Sequence, residues 1–297
     1  MSTKIIPSYA NELIVEEPIR QIHGELYENL DYDAIWKLSN AGFVIRIGGE
    51  YIFVDPVFTS PIPPKGISGK PSNPPEAKFY DRNENFWKEV HSLPLPPEKV
   101  SKADYVLITH GCGDHLDKQG MSRISGLNPR VLVPPYWHNT LMEAGISKER
   151  LIGALAGERI DFGKFAVQVV PADHTAYQRE ENYGACGFLI MTKYGNIYHP
   201  GDGCFDHPGK EAILGLDVDY LLLPINDTNL GAGFGALLTS LLQPKVVIPC
   251  HYGYKYPPIR SQGGHPAEFV TALAARNYKI PCTDIVILQP GGKFVFV

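Results

Sequence analysis

The stretch Thr109-His-Gly-Cys-Gly-Asp-His-Leu-Asp117 packs two histidines, two aspartates and a cysteine into nine residues. Imidazole nitrogens, carboxylates and thiolates are all good donors to a divalent transition metal. Gly111 and Gly113 free the backbone to turn several of them toward one point. Taken singly, a histidine is more often a surface or satisfied core residue, and His23, His91, His199 and His207 are read that way. His110, Cys112, Asp114 and His115 together point instead to a metal centre. More donors stand at the ends of other apolar runs: His174 after Val169-Val-Pro-Ala-Asp, Asp202 after Ile197-Tyr-His-Pro-Gly, and His251 after Val246-Val-Ile-Pro-Cys. Coincidence supplies one such position easily, and all of them with difficulty.

The elements that must position these side chains read as strands. Gly42 to Asp55 is strand, glycine turn, strand, aspartate, and Gly187 to Asp202 follows the same plan. Asp104-Tyr-Val-Leu-Ile-Thr is echoed by Asp219-Tyr-Leu-Leu-Leu-Pro, and Pro129-Arg-Val-Leu-Val-Pro by Pro244-Lys-Val-Val-Ile-Pro, both at an offset of 115 residues. The expectation is one domain over residues 1–297 made of two β-rich halves, about 30–150 and 155–297, each supplying one sheet. Fully apolar runs such as Val131-Leu-Val and Val246-Val-Ile predict strands covered on both faces, with helices outside the sheets. Helical spacing is found over Asn11 to Asn29, Lys118 to Gly126, His138 to Ala144, Leu237 to Leu242 and Pro266 to Arg276. The fold class expected is a layered α/β arrangement, helices outside two packed sheets. The proline-rich stretch from Thr59 to Val100 is expected to be a long ordered loop.

With 297 residues, 44% of them hydrophobic, the chain can bury a large core. A formal charge of −5 and no basic block argue against nucleic acid or an anionic membrane as partner and favour a small-molecule substrate. No secretory pattern opens the chain and no window is long and apolar enough for a membrane span, so a cytoplasmic location is expected. Five scattered cysteines without a CxxC pair do not form a disulfide framework.

The order HxCxDH, then the histidine of PADH, the aspartate of PGD and the histidine of PCH, resembles the metallo-β-lactamase superfamily, whose leading motif is HxHxDH. NIYHPGD, PKVVIPCHY and the terminal GGKF are most similar to its L-ascorbate-6-phosphate lactonase-like branch. The resemblance implies a four-layer αββα sandwich. It also implies one metal held by His110, Cys112 and His174 and a second held by Asp114, His115 and His251, with Asp202 bridging. The activity it implies is hydrolysis, in which a metal-bound hydroxide, with Asp114 as its catalytic partner, attacks a lactone, ester or phosphoester of a small anionic substrate. A sugar-phosphate lactone is the specific candidate. One or two zinc ions are expected, manganese being the alternative, and homo-oligomerisation fits the branch.

Cys112 departs from the family's motif. Its thiolate replaces an imidazole and favours zinc, or it is a protonated bystander beside a single firm site, or metal catalysis has been lost. Asp117 either caps the following helix or orients a ligand histidine. Near the ligand positions, Arg179, Asn226, Tyr252 and Lys255 are the candidate substrate-binding residues, and Trp137 and His138 are expected close by. Two other classes remain open: a metal-dependent oxidoreductase of the same fold, and a non-catalytic binding protein with a degenerate site.

Overall fold

Alternating side-chain directions along apolar strands require a cover on each face, and two sheets stacked face to face provide it. The computed structural model describes residues 5–7, 21–38, 41–58, 94–172, 184–203, 210–225, 231–252, 266–276, 278, 280 and 282–296. Its strands are β1 (Ile5–Pro7), β2 (Ala34–Lys37), β3 (Phe43–Ile47), β4 (Glu50–Val54), β5 (Tyr105–Leu107), β6 (Arg130–Val133), β7 (Leu151–Gly153) and β8 (Arg159–Asp161). They continue with β9 (Ala166–Pro171), β10 (Cys186–Thr192), β11 (Gly195–His199), β12 (Tyr220–Pro224), β13 (Val246–Cys250), β14 (Asp284–Ile287) and β15 (Lys293–Val295).

One sheet runs β15-β2-β3-β4-β5-β6-β7 and the other β1-β14-β13-β12-β11-β10-β9-β8. Each therefore takes an edge strand from the opposite end of the chain. The pairing follows one plan in both: an antiparallel hairpin, β3·β4 or β10·β11, then three parallel strands. Residues at matched positions make matched bonds. Asp104 accepts the Tyr51 N–H at 2.8 Å, and Asp219 accepts the Asn196 N–H at 2.7 Å, in each case clamping the second hairpin strand to the next strand.

The period-two pattern sorts each strand between two cores. Leu132, Leu222 and Ile248 enter the core between the sheets, with Ile45, Ile52, Phe188 and Ile190. Val131 and Val133 face outward beneath the helices Lys118–Ile124 and His138–Glu143, which contribute Met121, Ile124 and Leu141. On the opposite outer face, Leu221, Leu223 and Val247 lie under Gly231–Leu242 and Pro266–Ala275, which add Ala236, Leu238, Phe269 and Leu273. The result is the expected αββα order of layers.

The helix expected from Leu237 begins six residues earlier, at Gly231. Gly235 explains why glycines are tolerated there: a Cβ would stand 3.2 Å from the Leu223 side chain, so the helix lies close on β12. Of the expected helix Asn11 to Asn29, the described part is helical over His23–Leu26, and residues 11–20 lie outside the described residues. Most of the proline-rich stretch, residues 59–93, lies outside them too; its end carries one 3-10 turn, Pro97–Lys99. The helix Lys210–Leu214 was not anticipated.

Phe188 is wholly buried between the sheets. Phe188→Ala is expected to cost about 3–5 kcal/mol of unfolding free energy, from lost burial and the cavity left behind. Urea unfolding followed by circular dichroism checks this, and a loss under about 1 kcal/mol would show that the two sheets collapse to refill the space.

Candidate metal centre

Ligands in open α/β sheets gather at the carboxyl ends of the strands, and the strand ends here carry the candidate donors. Asp55 follows β4, Thr109 and His110 follow β5, Asp202 follows β11 and His251 follows β13. Asp114, His115, Asp202 and His251 each offer one donor atom, and these atoms lie within 4.8 Å of one another.

The distances match a cation's needs. Oδ1 of Asp202 stands 3.1 Å from Nε2 of His115 and 3.3 Å from Nε2 of His251, while Oδ2 of Asp114 is 3.2 Å from Nε2 of His251 and 3.9 Å from that of His115. Donors bound tetrahedrally at about 2.0–2.1 Å are separated by about 3.3 Å. Among the described residues, neither buried Nε2 is placed to make a hydrogen bond. The charge balance points the same way, since Asp55, Asp114 and Asp202 surround two imidazoles. Burial alone would lower the pKa of His251, yet Asp202 and Asp114 raise it to about 9. His115 is likewise raised well above the ordinary imidazole value, against its burial, by Asp202, Asp55 and Asp114. The pocket thus demands positive charge, and a divalent cation held by Asp114, His115, Asp202 and His251 would meet that demand.

A buried relay fixes the histidines. Asp55 is fully buried, has a left-handed φ of +42°, and accepts the Thr109 N–H at 2.7 Å and the Thr109 hydroxyl at 2.6 Å. Its Oδ2 also accepts the Nδ1–H of His115 at 2.8 Å, so Nε2 faces the other donors and is the nitrogen that carries the lone pair once the ring is neutral. Having given its proton to Asp55, the Thr109 hydroxyl can only accept from Nδ1 of His110, 3.0 Å away. That assigns the lone pair of His110 to Nε2 as well. Burial would raise the Asp55 pKa, but His115 more than offsets this and holds it below the usual carboxylate value.

Strain accompanies this order. His251 has a φ of +54°, in a region that costs a non-glycine residue on the order of 1 kcal/mol or more. The following residue is anchored twice: the Tyr252 hydroxyl donates to the Leu288 carbonyl at 3.0 Å, and the buried Lys37 ammonium lies 5.1 Å from its ring. Gly111 accepts no side chain because a Cβ would overlap the Trp137 indole, whose Nε1 donates to the Gly184 carbonyl at 2.8 Å. Trp137 is therefore committed to holding the metal-binding loop.

The residues expected in the site fall into three groups. Asp114, His115, Asp202 and His251 converge. His110 is adjacent, its ring 4.0 Å from that of His115, and Cys112 is half-buried; their donor atoms do not belong to the converging four. Tyr252 lies next to His251 with its hydroxyl on Leu288. His174, Arg179, Asn226 and Lys255 lie outside the described residues. Asp117 caps the helix, accepting from Gly120 N–H at 2.9 Å and Phe58 N–H at 2.9 Å, so the carboxylate that orients the histidine is Asp55. The strand-glycine-strand-aspartate echo, which pairs Asp55 with Asp202, carried the signal for it.

A profile described as the beta-lactamase superfamily domain matches residues 34–251. The chain belongs to the beta-lactamase superfamily. A relative from Archaeoglobus fulgidus described as a UPF0173 metal-dependent hydrolase is 29% identical, over 69% of this chain and 87% of its own. One from Thermococcus kodakarensis with the same description is 33% identical, over 66% of this chain and 83% of its own. Among solved structures, the metallo hydrolase Igni18 of Ignicoccus hospitalis aligns at a TM-score of 0.63 and 22% identity, covering 89% of this chain and 98% of that one. A diiron β-hydroxylase, CmlA of Streptomyces venezuelae, aligns at 0.60 and 17%, covering 90% of this chain and 54% of that one. At these identities the structures establish the superfamily's fold and nothing about the reaction.

Asp55→Asn removes the charge that holds Nδ1–H of His115 in place. Zinc affinity, measured by competition with a chromophoric chelator, is expected to weaken by roughly 10–100-fold, the usual cost of losing a carboxylate behind a ligand histidine. An unchanged affinity would mean that Asp55 serves only the fold.

Proposed function

We propose that this protein is a metal-dependent hydrolase acting on a lactone, ester or phosphoester of a small anionic substrate, with a sugar-phosphate lactone as the specific candidate. One observation carries the reading: two imidazoles and two carboxylates converge at one strand edge, around a centre whose Asp114 side chain is 47% exposed while its partners are buried. Metal-dependent hydrolases among the relatives support the class. The lactone follows from the likeness of NIYHPGD and PKVVIPCHY to the lactonase-like branch. The anionic character follows from Arg179 and Lys255, close in sequence to His174 and His251.

Asp114, His115, Asp202 and His251 would hold a divalent cation, and its Lewis acidity would serve to polarise the scissile group and acidify water toward neutrality. The remaining work falls to this chain's side chains. Asp202, 5% exposed, sits between His115 and His251 and brings the two halves of the donor set together. Asp114 stands at the solvent-facing rim, held 3.2 Å from His251, where its carboxylate can orient an attacking water and take its proton. The Asp55–Thr109 relay keeps both His110 and His115 presenting Nε2, so no ring must flip for the site to load. In this reading His110, Cys112 and His174 form a second position whose thiolate favours zinc over manganese.

Metal analysis of protein prepared without chelator tests the reading. One or two equivalents of zinc per chain are expected, and a hundredfold excess of zinc over Kd should stabilise apo-protein by about 2.7 kcal/mol. His251→Ala and Asp202→Asn should each abolish that gain together with hydrolysis of a panel of lactones, esters and phosphodiesters. Protein that binds neither zinc nor manganese and shows no thermal shift would sink the proposal. Iron with oxygen consumption would replace it by an oxidoreductase.

A further inference from the structure

His199, the last residue of β11, is fully buried just before the turn that carries Asp202, and the reaction proposed above gives it no part. Both ring nitrogens are engaged. Nε2 lies 3.0 Å from the carbonyl oxygen of Ala41, and the backbone N–H of Gly201 donates to Nδ1 at 3.0 Å. A carbonyl oxygen only accepts, so Nε2 carries the proton. An N–H only donates, so Nδ1 carries the lone pair. The two bonds select one neutral tautomer and fix the ring, with Phe43 set edge-on against it at 6.0 Å.

The bond to Gly201 has a local consequence. A side-chain acceptor that binds the N–H two residues ahead closes a turn on its own backbone, as Asn and Asp do in Asx-turns. Pro200 restricts φ inside that turn, and Gly201 takes a φ of +61°. A Cβ on Gly201 would lie 2.8 Å from Cβ of Thr109, so the glycine is seated between His199 on one side and the Asp55–Thr109 relay on the other. The next residue is Asp202, whose Oδ1 reaches both His115 and His251. Through Ala41 the same ring ties this turn, from one sheet, to the segment between β2 and β3 of the other.

We propose that His199 is a positioning residue for Asp202, acting through the Nδ1···H–N bond to Gly201, and that only the Nε2–H tautomer can do this. The proposal rests on Asp202 being a metal ligand, but its geometry exists without metal. Two substitutions separate the two bonds. Asn at 199 keeps an acceptor for Gly201 N–H and gives up Ala41; Gln places a donor toward Ala41 and gives up the short turn-closing acceptor.

Three measurements on folded wild type, His199→Asn and His199→Gln decide the matter. Long-range nitrogen–proton correlation on metal-free wild type should report Nε2–H for His199. Hydrogen exchange at Gly201 should keep wild-type protection in His199→Asn and lose about tenfold or more in His199→Gln. Zinc affinity should follow the same split, within about threefold of wild type for Asn and at least about tenfold weaker for Gln, the range seen when support behind a ligand is removed. An Nδ1–H tautomer overturns the proposal, as does equal loss in both variants, which would make His199 a packing residue, or no loss in either. Wild type that binds no zinc would defeat the metal-dependent reading, while tautomer and Gly201 protection would still judge His199. Should neither variant fold, the tautomer and Gly201 protection of the wild type decide alone.

Discussion

A carboxylate taken out of water must recover its solvation from neighbouring donors, and Asp55 recovers it from Thr109 twice and from His115 once. That requirement organises everything around it. It pulls the loop after β5 back onto the end of β4, pins the ring of His115, and leaves the Thr109 hydroxyl able only to accept from His110. The left-handed backbone at Asp55 and the seat of Gly201 against Thr109 are the steric counterpart of the same cluster. The three bonds to Asp55 lie within one sheet's strand ends, and Gly201, which follows β11 of the other sheet, packs on Thr109, so the centre is also where the sheets are joined.

The sheets place the cluster by simple geometry. A hairpin followed by parallel strands sends successive carboxyl ends to one edge, and the arrangement occurs once in each sheet. Asp55 and Asp202 end the equivalent hairpins, β3·β4 and β10·β11, but they have diverged in role. Asp55 stays at 0% exposure behind a histidine, whereas Asp202 reaches across to both Nε2 atoms. Matched carboxylates with a purely structural task, Asp104 and Asp219, kept the same bond on both sides.

Electrostatics then gives the centre its direction. Three carboxylates around two imidazoles leave a negative, buried interior whose exposed member is Asp114. Burial disfavours charge on His115 and His251, and the carboxylates overcome it, so a positive partner is what the interior lacks. The stability sacrificed in holding strained His251 and desolvated Asp55 resembles the usual cost of a prearranged site.

Much of this was legible in the order of residues. Apolar runs of strand length, glycine turns between them and donors at their ends are local features, and local features survive in sequence; hence the layers, the helix at Lys118, its Asp117 cap and the cluster of Asp114, His115, Asp202 and His251 could be read directly. Other features depend on who stands opposite. Nothing along the chain says that Trp137 replaces a side chain at Gly111, that Lys37 lies buried against Tyr252, or that Leu223 admits Gly235 and with it an earlier helix start. The echo marked Asp55 without its task, and His199 read as an ordinary core residue, because their meaning lies in partners 60 and 158 positions away, His115 and Ala41. Sequence determined which chemistry was available, since donor type and strand periodicity are properties of residues and their neighbours. Tertiary structure decided which nitrogen of His110 and His115 faces the centre, because that choice is set by the hydrogen bond on the ring's other side.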